Sequence, residues 1–217
     1  MKFGFWAFKL SGIIILVFLA QMFISGFTNW FVLDGQSWIQ PWRFVSSVFL
    51  HGGLAHIAFN LFALVLFGSI LERLIGSRRF LIVFFVTGVL ANLVSVNFYS
   101  SSLGASGAIF GVIGALIIVR PMLTVWAFGM PMPIFIAGIF WVGADVLGTI
   151  GFFTGNPIDN TGNIAHLSGI LFGFIFGGMW RGVRAEFGKH KEMKIKDDRV
   201  DLDEQAIRAW EEKYLGK

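Results

Sequence analysis

Apolar residues in this chain gather into six runs of 16 to 20 residues, near Leu10–Phe27, Leu54–Leu71, Phe80–Phe98, Gly104–Val119, Ile134–Phe153 and Ile164–Trp180. Of the charged residues, only Asp145 falls inside a run. A bilayer's hydrocarbon core takes roughly 20 helical residues to cross. The pattern therefore predicts an all-α, polytopic membrane protein with six transmembrane helices. The first run follows Lys2 and Lys9 and shares that feature with signal peptides. It is long, however, and no A-x-A cleavage pattern follows it, so we read it as a retained helix.

Composition agrees with that class. The chain is 56% hydrophobic and 14% charged, against roughly 25% charged in soluble domains, and its mean hydropathy is +0.75. There is no cysteine, which excludes disulfides and thiolate metal sites. The net charge of +4 accompanies no basic patch with interleaved aromatics, so it does not point to nucleic acid.

The charge reports topology instead. With both termini cytoplasmic, Lys2, Lys9, Arg73, Arg78, Arg79, Arg120, Arg181, Arg184 and the eight basic residues of the tail lie inside, and only Arg43 of the seventeen lies outside. That is the asymmetry the positive-inside rule requires. The domain reading is a membrane-embedded unit over 1–184 and a charged cytoplasmic tail over 185–217. In the tail, Ile207, Trp210 and Tyr214 share one helical face. No internal repeat is evident, so an inverted-repeat transporter is not supported.

Between the first two helices, about Thr28–Gly53, lies a loop too long to be only a connector. Its Trp30, Trp38 and Trp42 suggest an interfacial position over something that needs a cover. The fourth run is the shortest. From Gly104 it rises roughly 24 Å, less than the ~30 Å core, so with Arg120 at the cytoplasmic surface Ser106 sits inside the membrane near the outer face.

The stretch GASGAIFG at 104–111 also serves plain helix packing, because small residues four apart let backbones approach. A partner for Ser106 comes from the last run, NIAHLSGILFGFIFGG. There His166, Gly169, Gly173 and Gly177 fall at about 0°, 300°, 340° and 20° around a helix. That glycine face suits the Gly107/Gly111/Gly114 side of the fourth helix and carries His166 to the depth of Ser106. A serine beside a neutral imidazole is the minimum set for nucleophilic acyl transfer. In HGGLAHIAFN, His56 and Asn60 share a face and could stabilise an oxyanion together with the Ser106 backbone N–H. The rival reading is a metal site gathered from His51, His56, His166 and Asp145, although His51 and His56 lack the i, i+4 spacing of a helical ligand pair. His190 reads as solvated. Asp145 reads as a structural hydrogen-bonding group rather than a partner of His166, with Asn163 and the backbone equally placed to orient the imidazole.

Over about Trp42–Trp180 the chain resembles the rhomboid family of intramembrane serine proteases. The resemblance rests on Trp42–Arg43, HGGLAHIAFN, ERLIG at Glu72–Gly76, GASG, and AHLSGILFG at Ala165–Gly173, in that order on six spans. It implies a Ser–His dyad without a catalytic acid, cleaving transmembrane segments of other membrane proteins near their outer ends. By motif position Ser106 is the nucleophile, His166 the general base, and His56 and Asn60 the oxyanion-stabilising side chains. The Trp42–Arg43 and Glu72–Gly76 motifs look architectural. Phe110 stands where many relatives have tyrosine and is expected to pack on His166. No cofactor or nucleic acid is implied, the site is expected to open to the outer face, and the bulky fifth helix is a candidate gate for substrate entering from lipid. The alternative is a catalytically inactive relative that only binds transmembrane helices, against which the presence of both Ser106 and His166 argues.

Overall fold

The computed structural model describes residues 3–158 and 161–182. The expected tail over 185–217, with His190 and the face around Trp210, lies outside the described residues. Five helices are long and apolar enough to cross a membrane: α1 (Trp6–Phe23), α2 (Leu54–Ile75), α3 (Ser77–Ser95), α5 (Ile134–Phe153) and α6 (Asn163–Trp180). A shorter apolar helix, α4 (Ser106–Val119), completes the set among the described residues.

Helix α4 is the hub. It buries ten of its fourteen residues, and its neighbours are α6, α3 and the middle of α2. Glycine makes the α4–α6 approach possible. A Cβ on Gly169 would collide with the carbonyl oxygen of Gly107, and one on Gly173 with that of Gly111. One turn further, a Cβ on Gly177 would lie 2.8 Å from the carbonyl of Ala115. The two backbones thus meet along the faces the sequence pattern pairs. On its other side Gly111 abuts Thr87 of α3, whose Oγ1 bonds its own helix at the Val83 carbonyl, 2.7 Å away.

Helix α1 starts four residues before the expected Leu10 because a distant group caps it. Glu72 of α2 is completely buried, and its carboxylate accepts from the backbone N–H groups of Gly4, Trp6 and Ala7 at 3.1–3.2 Å and from Ser77 Oγ at 2.6 Å. Those N–H groups have no intrahelical acceptor, and their partial positive charge favours an anion. The helix ends at Phe23, just before Gly26 adopts a left-handed φ of 77°. Mid-way, α2 contains a π turn at Leu64–Gly68.

Two short ladders depart from the all-α expectation. Leu33–Asp34 (β1) pairs antiparallel with Ser101–Ser102 (β2), which ties the α1–α2 connection to the segment before α4. Thr124–Ala127 (β3) and Met130–Pro133 (β4) form a hairpin between α4 and α5. Its turn residues Phe128 and Gly129 both have positive φ, 53° and 79°, matching the right-handed twist of the strands. Pro131 and Pro133 bar a helix there, and Thr124, Val125 and Trp126 favour extended chain.

The α1–α2 connection is anchored rather than loose. Arg43 is buried and bonds Asp34 Oδ2 at 3.0 Å, the Val32 carbonyl at 2.9 Å and Gln40 Oε1 at 2.6 Å. Asn92 of α3 donates to the Phe44 carbonyl at 2.8 Å, and the Gly104 N–H donates to the Ser47 carbonyl at 2.9 Å. Trp30, Trp38 and Trp42 are exposed.

The glycine contact yields a test. Gly173→Ala forces a methyl group against the Gly111 backbone and is expected to cost about 1–3 kcal/mol. Gly178→Ala, where a Cβ meets nothing within 4 Å, is expected to be neutral or slightly stabilising. Equilibrium unfolding of the two variants in the same micelles checks the difference.

Candidate active site

Ser106 is the first residue of α4 and lines a cavity of about 1450 Å³ shared with His56, Asn60, Phe110, Trp141 and His166. As a first-turn residue its backbone N–H has no intrahelical acceptor. Gly104, two residues earlier, has φ 123°, and a Cβ there would lie 2.8 Å from Cε1 and Nε2 of His56. Only glycine combines that conformation with an imidazole resting on the backbone.

His166 sits in the first turn of α6. Its ring stacks on Phe110 with centroids 4.3 Å apart and planes 5° from parallel. The stack holds the ring by its face and leaves both nitrogens at the edge. One of them is engaged: His166 Nδ1 lies 2.9 Å from Asp145 Oδ1. This corrects the reading of Asp145 as a structural group with no part in holding His166. Asn163 is not the orienter, since its Oδ1 accepts from Thr161 Oγ1 at 2.9 Å and its amide packs against Gly148 of α5. The Gly148–Asn163 contact lies one turn from the Asp145–His166 bond and sets the same antiparallel register. The sequence held a partial signal: Gly138, Asp145 and Gly148 fall on one side of a helix by spacing, and the structure buries that side of α5.

His56 accepts a long hydrogen bond at Nδ1 from the Gly52 N–H, 3.4 Å away. That bond favours the tautomer with the proton on Nε2, a donor. Asn60 is buried, and its Nδ2 donates to the His56 carbonyl at 2.8 Å, which orients the amide and leaves its second N–H uncommitted. His51 lies behind His56 with ring centroids 5.0 Å apart. Its Nδ1 faces the Phe49 carbonyl at 3.3 Å, and its backbone N–H donates to Gln21 Oε1 at 2.9 Å. Burial, then the neighbouring His56, push its pKa down to about 4 against a smaller opposing effect from the Phe49 carbonyl. Among the described residues no three His, Cys, Asp or Glu side chains are grouped as metal ligands.

The structure gathers Ser106, His166, His56 and Asn60 at one cavity and leaves His51 outside its lining. Sequence reasoning missed Tyr99, one of two tyrosines, whose hydroxyl accepts from the Ile164 N–H at 3.1 Å and so satisfies a first-turn donor beside His166. Between α2 and α5 the wall of the cavity includes Phe67 edge-on to Trp141, centroids 5.7 Å apart.

Residues 38–182 match the Rhomboid domain family. Among curated proteins the chain is 35% identical over 143 residues to Rhomboid protease GluP of Bacillus subtilis, covering 61% of this chain and 25% of that protein. It is 29% identical over 141 residues to RHOMBOID-like protein 6, mitochondrial, of Arabidopsis thaliana, covering 64% of this chain and 43% of the relative. Rhomboid protease GlpG of Haemophilus influenzae is 28% identical over 178 residues, covering 77% of this chain and 86% of that protein. The chain thus spans less than half the length of the first two.

His51 makes acid stability a test of the site's packing. Its folded value of about 4 lies below the ordinary 6.5, so between those values the unfolded chain binds the extra proton. The neutral, buried ring therefore favours folding fully above about pH 6.5, and that advantage is lost as pH falls toward 4, on the order of 3 kcal/mol in all. His51→Gln is expected to flatten this part of the profile. Unfolding free energies of both proteins across that range check it.

Proposed function

The chain belongs to the rhomboid family, and from that premise we propose that it is an intramembrane serine endopeptidase. Its substrates are membrane proteins cut within or beside a transmembrane segment. The observation that carries this reading is the convergence of Ser106, His166, His56 and Asn60, from three helices, on one cavity.

In this mechanism Ser106 Oγ adds to the scissile carbonyl carbon while its proton passes to Nε2 of His166. The oxyanion is met by the Ser106 backbone N–H, His56 Nε2–H and the Asn60 amide, groups worth most where water is scarce. Collapse of the tetrahedral species passes the proton from Nε2 to the leaving amine and leaves an acyl group on Ser106. Water, activated by the same nitrogen, then releases it.

The same reading counts α4 as a sixth span. Its fourteen residues rise only about 21 Å, so Ser106 lies beneath the membrane surface, under the Thr28–Gly53 connection. Sixteen of seventeen basic residues favour cytoplasmic termini, with the cavity opening to the outer face. Substrate enters laterally past α5. A regular helix shields its carbonyls, so the scissile segment must unwind, which an otherwise lipid-filled site would forbid and a polar cavity permits.

Ser106→Ala and His166→Ala are each expected to abolish cleavage of a transmembrane substrate in proteoliposomes while leaving the thermal midpoint within a few degrees. His56→Ala and Asn60→Ala are expected to lower kcat by about 10²–10³. Substantial cleavage by either purified dyad variant contradicts the assignment, and loss of wild-type cleavage on chelation would favour the metal reading.

A further inference from the structure

The carboxylate at position 145 is costly where it stands. It lies in a helix apolar and long enough to cross a membrane, and it is buried. Oδ1 is 2.9 Å from His166 Nδ1, while Oδ2 is buried and bonded to no other described group. As glue between α5 and α6, an amide or hydroxyl would serve at lower cost, because burying a carboxylate is expensive unless its charge is used. Three contacts hold it in place against the imidazole: the Gly148–Asn163 approach one turn away, the Phe110 stack on the ring, and the Tyr99 hydroxyl on Ile164.

We propose that Asp145 is a positioning residue for the Ser106–His166 dyad, holding the Nδ1–H tautomer of His166 and facing the positive charge that His166 acquires. The proposal rests on the protease reading above. Nδ1–H stays bonded to Oδ1 throughout. When Ser106 Oγ bonds the carbonyl carbon, its proton moves to Nε2, and the resulting imidazolium lies against a carboxylate that itself takes no proton. The proton later leaves Nε2 with the departing amine, and the pair returns to its starting state.

With asparagine at 145 the packing is kept but the lock is lost, because the amide can donate to Nδ1 and so place the proton on Nε2, where it blocks attack. Asp145→Asn is therefore expected to lower kcat by about 10²–10⁴, with KM within threefold and the thermal midpoint within a few degrees of wild type. In ¹⁵N-histidine spectra of the full chain in micelles, with His166 assigned from the His166→Gln spectrum, the wild type shows the Nδ1–H tautomer and Asp145→Asn shows Nε2–H or a mixture. Turnover within threefold of wild type in folded Asp145→Asn overturns the proposal. So does a wild-type spectrum in which His166 carries its proton on Nε2. Asp145→Ala, which removes the partner of Nδ1 altogether, must also lower kcat; wild-type turnover in that variant overturns the proposal as well. The spectra need no activity, so a wild type that never cleaves refutes the protease reading while the tautomer still reports on Asp145.

Discussion

Gly169 and Gly173 rest on the carbonyl oxygens of Gly107 and Gly111, with no side chain between the two backbones. Lipid tails are as apolar as leucine, so in a bilayer helices gain little by hiding apolar side chains and must associate through close contact and hydrogen bonds. The α4–α6 seam supplies that contact, and its register fixes the site. Because the close approach pairs Gly107 with Gly169 and Gly111 with Gly173, the first turns of both helices arrive at one level, carrying Ser106 and His166 to the same cavity.

Around that seam, several polar groups buried in an apolar bundle are matched by specific partners. Glu72 takes up the orphan donors at the start of α1, Arg43 gathers Asp34 and two further oxygens in the connection above the site, and Asn92 holds that connection through Phe44 and Ser47. The Glu72 and Asn92 matches join segments 45 to 68 residues apart and work as latches, while Arg43 braces the connection from within. The cavity is where the pattern relaxes: His56 and Asn60 keep donors uncommitted there, at the end of α4 whose own backbone N–H groups point the same way.

What the sequence made legible follows from periodicity. The small-residue faces of α4 and α6 repeat at helical spacing, so their pairing and the arrival of His166 at the level of Ser106 could be read directly. The start of α1 could not, since its cap is a carboxylate 65 to 68 residues away. The β3–β4 hairpin was hidden in an apolar stretch whose turn depends on Phe128 taking a left-handed conformation unusual for it. Asp145 was visible as the one charge inside an apolar run, but its partner depends on the relative register of α5 and α6, which Gly148 against Asn163 sets in three dimensions.

The account stands on one claim, that His166 makes Ser106 a nucleophile. A fluorophosphonate probe reads this directly, because it phosphonylates only an activated serine. Peptide mapping after treatment of the solubilised full chain is expected to place the adduct on Ser106 in the wild type and to find none in His166→Ala, where the serine is present but has no base. An adduct on another serine, or equal modification of Ser106 in the two proteins, would contradict the account.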